Sequence, residues 1–253
     1  MKKPFGRAFA IAAIGVLFAL PAAYAQTPDL FQLAKAGNPR QVQSAIKGGA
    51  DVKERTVDGM TALMYAAKYN SDPGVTAALL KAGSEIAAMN RFGETPLMYA
   101  AHDSTNPAVV SALLKAGADI TAKSGYGWTP LMYAAHDNTV PGVIAVLAAA
   151  GADVNIRDSG GATPLMYAAT FNRNPEVITA LLKTGAQINT HTTNGMTALM
   201  YAAKINDNPA IAAALLDAGA DVKAKDAKGM RAFDYAQANP KLKGSDVVNR
   251  MKG

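Results

Sequence analysis

The heptapeptide Thr61-Ala-Leu-Met-Tyr-Ala-Ala67 returns as Thr95-Pro-Leu-Met-Tyr-Ala-Ala101, then from Thr129, Thr163 and Thr197, at steps of 34 residues. Two glycine series keep the same period. One runs Gly49, Gly83, Gly117, Gly151, Gly185 and Gly219; the other runs Gly59, Gly93, Gly127, Gly161, Gly195 and Gly229. Three markers in one register require an array of stacked units, each burying its apolar face on its neighbours.

Local chemistry defines the unit. The Thr heading each block is a good N-cap, and Pro96, Pro130 and Pro164 take the next position, where a missing N–H costs nothing. Leu97 with Ala100 and Ala101 gives an apolar face at helical spacing, and the small alanines admit a neighbouring helix closely. A polar turn follows. Asp72-Pro73, Asn106-Pro107, Asn174-Pro175 and Asn208-Pro209 start a second helix by the same logic, whereas Val140-Pro141 predicts a weaker cap. The second helix carries Val177, Ile178, Leu181 and Leu182 and ends at a glycine suited to the left-handed C′ position. About ten residues of extended chain and turn lead to the next Thr.

These residues resemble the ankyrin repeat family, whose unit runs Gly-x-Thr-Pro-Leu-His-x-Ala-Ala and later Leu-Leu-x-x-Gly-Ala-Asp. The resemblance covers Asp29 to the C terminus and implies an all-α solenoid of stacked helix-turn-helix units with hairpin-like fingers. It also implies a concave groove that binds another protein, with no catalysis. Two departures stand out. The family's period is usually 33, and here an extra residue lies in the turn between the helices. The family's His is Met at 64, 98, 132, 166 and 200. The hydrogen bonds that His usually makes between units must therefore be absent or replaced.

The ends read as caps. Residues 29–55 lack the block, and Arg231-Ala-Phe-Asp-Tyr-Ala236 keeps its register with Asp234 in the Met position. The domain reading is an opening cap at 29–55, five full repeats over about 56–225, and a closing cap over about 226–253. Ahead of it, Lys2, Lys3 and Arg7 precede an apolar run from Ala8 to Leu20, then Pro21 and Ala23-Tyr24-Ala25. That is the three-part pattern of a secretory signal over 1–25, leaving a repeat domain over 26–253. The run is shorter than the roughly 20 residues of a membrane-crossing helix.

Loss of the three basic leader residues lowers the formal charge from +6 to +3, too mild to argue for nucleic acid or an anionic membrane. With no cysteine, disulfides and thiol chemistry are excluded, so an oxidising compartment is tolerated but not required. The expected location is the periplasm, with secretion beyond the cell as the alternative. The chain is read as a monomer with a protein partner, no nucleic-acid partner, no membrane insertion after leader removal and no cofactor.

Catalysis needs a nucleophile with a base, a carboxylate pair or a cofactor loop. The sequence has no Gly-x-Ser-x-Gly, no phosphate-cradling Gly-x-x-x-x-Gly-Lys and no His-Glu-x-x-His, so it is read as a non-enzyme. The Met column is read as core: helices stacked about 8–10 Å apart keep successive sulfurs too distant to share an ion. The Tyr column from Tyr65 to Tyr235 is read as packing, with its hydroxyls near the surface.

Binding is expected where repeats differ. The two positions after Ala-Ala line the groove by resemblance; they hold His102-Asp103 and His136-Asp137, against Lys68-Tyr69, Thr170-Phe171 and Lys204-Ile205 elsewhere. The positions flanking each pre-Thr glycine form finger tips and include Phe92, Glu94, Tyr126 and Trp128, the only Trp. Aromatics of this kind dominate binding energy at interfaces. The expected surface joins Phe92, Glu94, His102, Asp103, Tyr126, Trp128, His136, Asp137 and Phe171. The alternative is a metal or small-ligand carrier using the His/Asp pairs.

Overall fold

The computed structural model describes residues 29–253, so the leader predicted over 1–25 lies outside the described residues. Helices come in pairs. The opening pair is α1 (Leu30–Ala36) and α2 (Pro39–Lys47). Five repeats follow: α3 (Ala62–Tyr69) with α4 (Pro73–Lys81), α5 (Pro96–Asp103) with α6 (Pro107–Lys115), α7 (Pro130–Asp137) with α8 (Pro141–Ala149), α9 (Pro164–Phe171) with α10 (Pro175–Lys183), and α11 (Ala198–Ile205) with α12 (Pro209–Asp217). The closing pair is α13 (Ala232–Ala238) and α14 (Asp246–Arg250). First helices pack on first helices and second on second, which makes two layers in one stack. The all-α solenoid is therefore the observed fold. Among the described residues the only extended pairing is two isolated bridges, Arg55 with Thr61 and His191 with Thr197.

The predicted caps form. Thr61 and Thr95 accept a hydrogen bond through Oγ1 from the backbone N–H of Met64 and Met98. The methionine sulfur answers, accepting from the Thr61 and Thr95 N–H at 3.5 and 3.4 Å. Met thus closes a capping box where Glu or Gln usually serves. All five block methionines are buried with Leu63, Leu97, Leu131, Leu165 and Leu199, so the column is core. Val140 makes no side-chain cap bond, as its apolar side chain requires.

Each finger folds around one short polar side chain. Asn90 Oδ1 accepts from the N–H of Phe92 and Glu94, Ser124 Oγ from Tyr126 and Trp128, and Asp158 Oδ1 from Gly160 and Ala162. A side-chain oxygen bonding backbone two and four residues on is a local turn clamp. Adjacent fingers are then tied through backbone: Arg91 N–H donates to Asp58 O, Gly125 to Phe92 O, Thr193 to Gly160 O and Ala227 to Asn194 O. Gly93 shows the constraint, since it sits at φ 72° and a Cβ there would meet Gly125 N at 2.9 Å.

Candidate functional site

The last residues of the first helices, Tyr69, Asp103, Asp137, Phe171 and Ile205, recur at the repeat spacing in one row of the stack. Tyr69, Phe171 and Ile205 are each about half exposed. Between them the His/Asp pairs interlock across repeats. Nε2 of His102 lies 2.8 Å from Asp137 Oδ2, and that oxygen is also 2.6 Å from His136 Nδ1. Nδ1 of His102 faces Asp103 Oδ1 at 3.0 Å, close but poorly angled. The carboxylate of Asp103, with Asp137 beside it, holds the His102 imidazole above its ordinary pKa despite its partial burial. Among the described residues no three His, Asp or Glu side chains converge as a metal ion would need.

Trp128 lies at the base of the third finger and points inward. Its ring meets Tyr167 at 4.6 Å, His136 at 5.1 Å and Tyr133 at 5.3 Å between centroids. Phe171 stacks on His136 at 4.3 Å. These contacts join Trp128, His136 and Phe171 into one cluster. Phe92 and Tyr126 stand apart from it: Phe92 lies under the Arg91 guanidinium at 4.7 Å, and Tyr126 projects from its tip at 69% exposure.

Glu94 has a framework role that sequence reasoning missed. Its Oε2 accepts from Tyr99 OH at 2.7 Å and Asn90 Nδ2 at 2.9 Å, and its Oε1 accepts from Tyr133 OH at 3.0 Å. Tyr167 OH likewise donates to Asp158 Oδ2 at 2.6 Å, and Tyr235 OH to Asp226. The tyrosine hydroxyls at 99, 133, 167 and 235 are thus finger anchors, a role that the reading of the column as packing did not include. The signal was available: Asn90/Tyr99, Asp158/Tyr167 and Asp226/Tyr235 share a nine-residue spacing. At Tyr133 the finger residue nine positions earlier is Ser124, and the hydroxyl donates to Glu94 of the preceding repeat. Burial, reinforced by this bond, pushes the Tyr133 phenol up to about 12.

Glu94, Tyr126, Trp128, Tyr133, Asp137 and Asp158 line a concavity of 560 Å³ that also touches His102, His136 and Ser159. A second concavity of 280 Å³ lies one repeat on, over Met166, Thr170, Phe171, Tyr201 and Ile205. No helix among the described residues is long and apolar enough to cross a membrane.

The family model described as ankyrin repeats (3 copies) matches residues 30–124, 108–192, 131–226 and 165–249. No curated protein matches the chain. Among solved structures, the human ASB11 ankyrin repeat domain is similar at a TM-score of 0.75 and 24% identity, covering 88% of this chain and 97% of that one. The ankyrin repeat domain of Bcl-3, described as a unique member of the IkappaB protein family, aligns at a TM-score of 0.67 and 24% identity, covering 89% of this chain and 98% of that one. At that identity the likeness is one of fold.

Proposed function

This chain belongs to the ankyrin repeat family, and we propose that it is a non-catalytic scaffold of the bacterial cell envelope that binds a partner protein through its groove and finger tips. Ankyrin repeats generally mediate protein–protein interaction. The observation that carries the reading is a division of labour within each repeat. Caps, core and finger turns repeat almost unchanged, while the groove row changes from Tyr69 through Asp103 and Asp137 to Phe171 and Ile205 and leaves apolar side chains half exposed. Exposed aromatics on a preformed surface lose little entropy on association. The envelope location rests on the leader pattern at 1–25.

The test is to express the full chain with its own leader, fractionate the cells, and recover its bound proteins from the compartment it reaches. A Phe92→Ala/Tyr126→Ala double variant runs beside it, because these two side chains stand outside the folded framework. A protein retained by the wild type and lost from the variant supports the scaffold. Cytoplasmic retention of the uncleaved chain, or no protein retained above background, overturns it.

A further inference from the structure

The ladder of backbone bonds between fingers has one break. Bonds join the first finger to the second, the second to the third, the fourth to the fifth and the fifth to the closing cap, but none joins Tyr126 to Ser159 among the described residues. The glycines confirm a local opening. A Cβ at Gly59, Gly93, Gly161 or Gly195 would press on the backbone of the next finger at 2.9–3.3 Å, whereas one at Gly127 would meet nothing within 4 Å. The residue before the Thr is Trp128 here and Met, Glu or Ala in the other full repeats; its indole lies across the junction against Tyr167. The 560 Å³ concavity touches both sides of this break.

Its chemistry is one-sided. Glu94, Asp137 and Asp158 bring three carboxylates and no Lys or Arg lines the space. None of the three has a Lys or Arg ion-pair partner among the described residues. Their bonded partners include phenols, an amide and imidazoles, and Oδ1 of Asp137 accepts no bond. His102 can offset part of the charge, but it is already shared between Asp103 and Asp137. Tyr126, Trp128 and Tyr133 supply aromatic surface beside the carboxylates. Carboxylates without a Lys or Arg partner, flanked by π-faces, match a guanidinium or ammonium group.

We infer that the gap between the third and fourth fingers receives an arginine or lysine side chain from an extended segment of the partner, with an apolar side chain seated over Phe171 and Ile205. The inference rests on the scaffold reading above and names the chemistry of its partner. One repeat, about 10 Å, separates the two concavities. An extended chain covers that distance in roughly three residues. The recognised pattern is therefore a basic residue and an apolar residue three apart.

Trp128, the chain's only Trp, reports on the site directly. The probes are acetyl-Ala-Arg-Ala-Ala-Leu-Ala-amide and its reverse order, each paired with an analogue carrying neutral citrulline for arginine. One arginine peptide should change Trp128 emission saturably, with its citrulline analogue about tenfold weaker. Asp137→Asn should remove most of that preference while leaving the circular dichroism spectrum and citrulline binding unchanged. Equal binding of arginine and citrulline peptides, or no binding in either order, overturns the inference. A partner retained in the fractionation experiment would then leave the scaffold standing without it. Peptide binding with no retained protein would overturn the scaffold and keep the cation site.

Discussion

The side-chain amide of Asn172 donates to the backbone carbonyl of Asn138, 34 residues earlier, at 3.0 Å, and also to Ala135 O at 3.1 Å. Asn138 does the same to Ala101 and Ser104, Asn206 to Ala169 and Asn172, Asn239 to Ala203 and Asn206, and Asn70 to Ala34 and Gly37. This ladder ties each first helix to the one before it. Met64, Met98 and Met200, in the family's His position, close caps within their own repeat, and the asparagines supply side-chain bonds between repeats.

Asn172→Ala should cost about 2–3 kcal/mol, because the change strands two carbonyls in a site that is 1% exposed. Urea unfolding checks this. Ser104 is the missing rung, too short to reach Ala67 and Asn70. Ser104→Asn should stabilise by about 0.5–1.5 kcal/mol in the same measurement. A loss would mean that the second repeat cannot admit the amide.

Val140→Asn should restore the absent cap of α8. Asn174 in the next repeat accepts from Glu176 N–H at 3.0 Å and donates to Thr139 O at 2.8 Å. The same geometry at 140 predicts a gain of about 1 kcal/mol, read as a higher thermal midpoint.

Protonated His102 is favoured in the folded chain, so its folded pKa lies above the ordinary 6.5. The stability it contributes is fully present below pH 6.5 and is lost as pH rises through the raised value. Wild type should therefore lose stability relative to His102→Gln between pH 5.5 and 8. NMR titration of the His102 ring should give a midpoint above 6.5.

Trp128→Ala and Tyr126→Ala should separate packing from display. Trp128 lies against Tyr133, His136 and Tyr167, and its loss should cost about 2–3 kcal/mol. Tyr126 is largely exposed, and its loss should stay within about 0.5 kcal/mol. Equal effects in denaturant titrations would overturn this assignment.

The helix pairs were legible because each is specified locally. A Thr or Asn before the helix, proline at its first position and glycine after it act within a few residues, so spacing alone located α3 to α12. The weak cap at Val140 was readable for the same reason.

Other features depend on side-chain reach across the stack. Tyr133 donates to Glu94 of the previous repeat, whereas Tyr167 and Tyr235 bond the aspartate of their own finger. The Asn ladder stands at the C-caps of the first helices, yet its partners are backbone carbonyls, which leave no mark in composition. The open junction beside Tyr126 arises where the third and fourth fingers lack a backbone bond. By itself the sequence determined the repeat, its helices, its caps and its buried methionine column, because local propensity and period fix those. Only the tertiary structure decided which polar atoms tie repeats together and where the stack parts, because those outcomes depend on distances between residues about 34 positions apart.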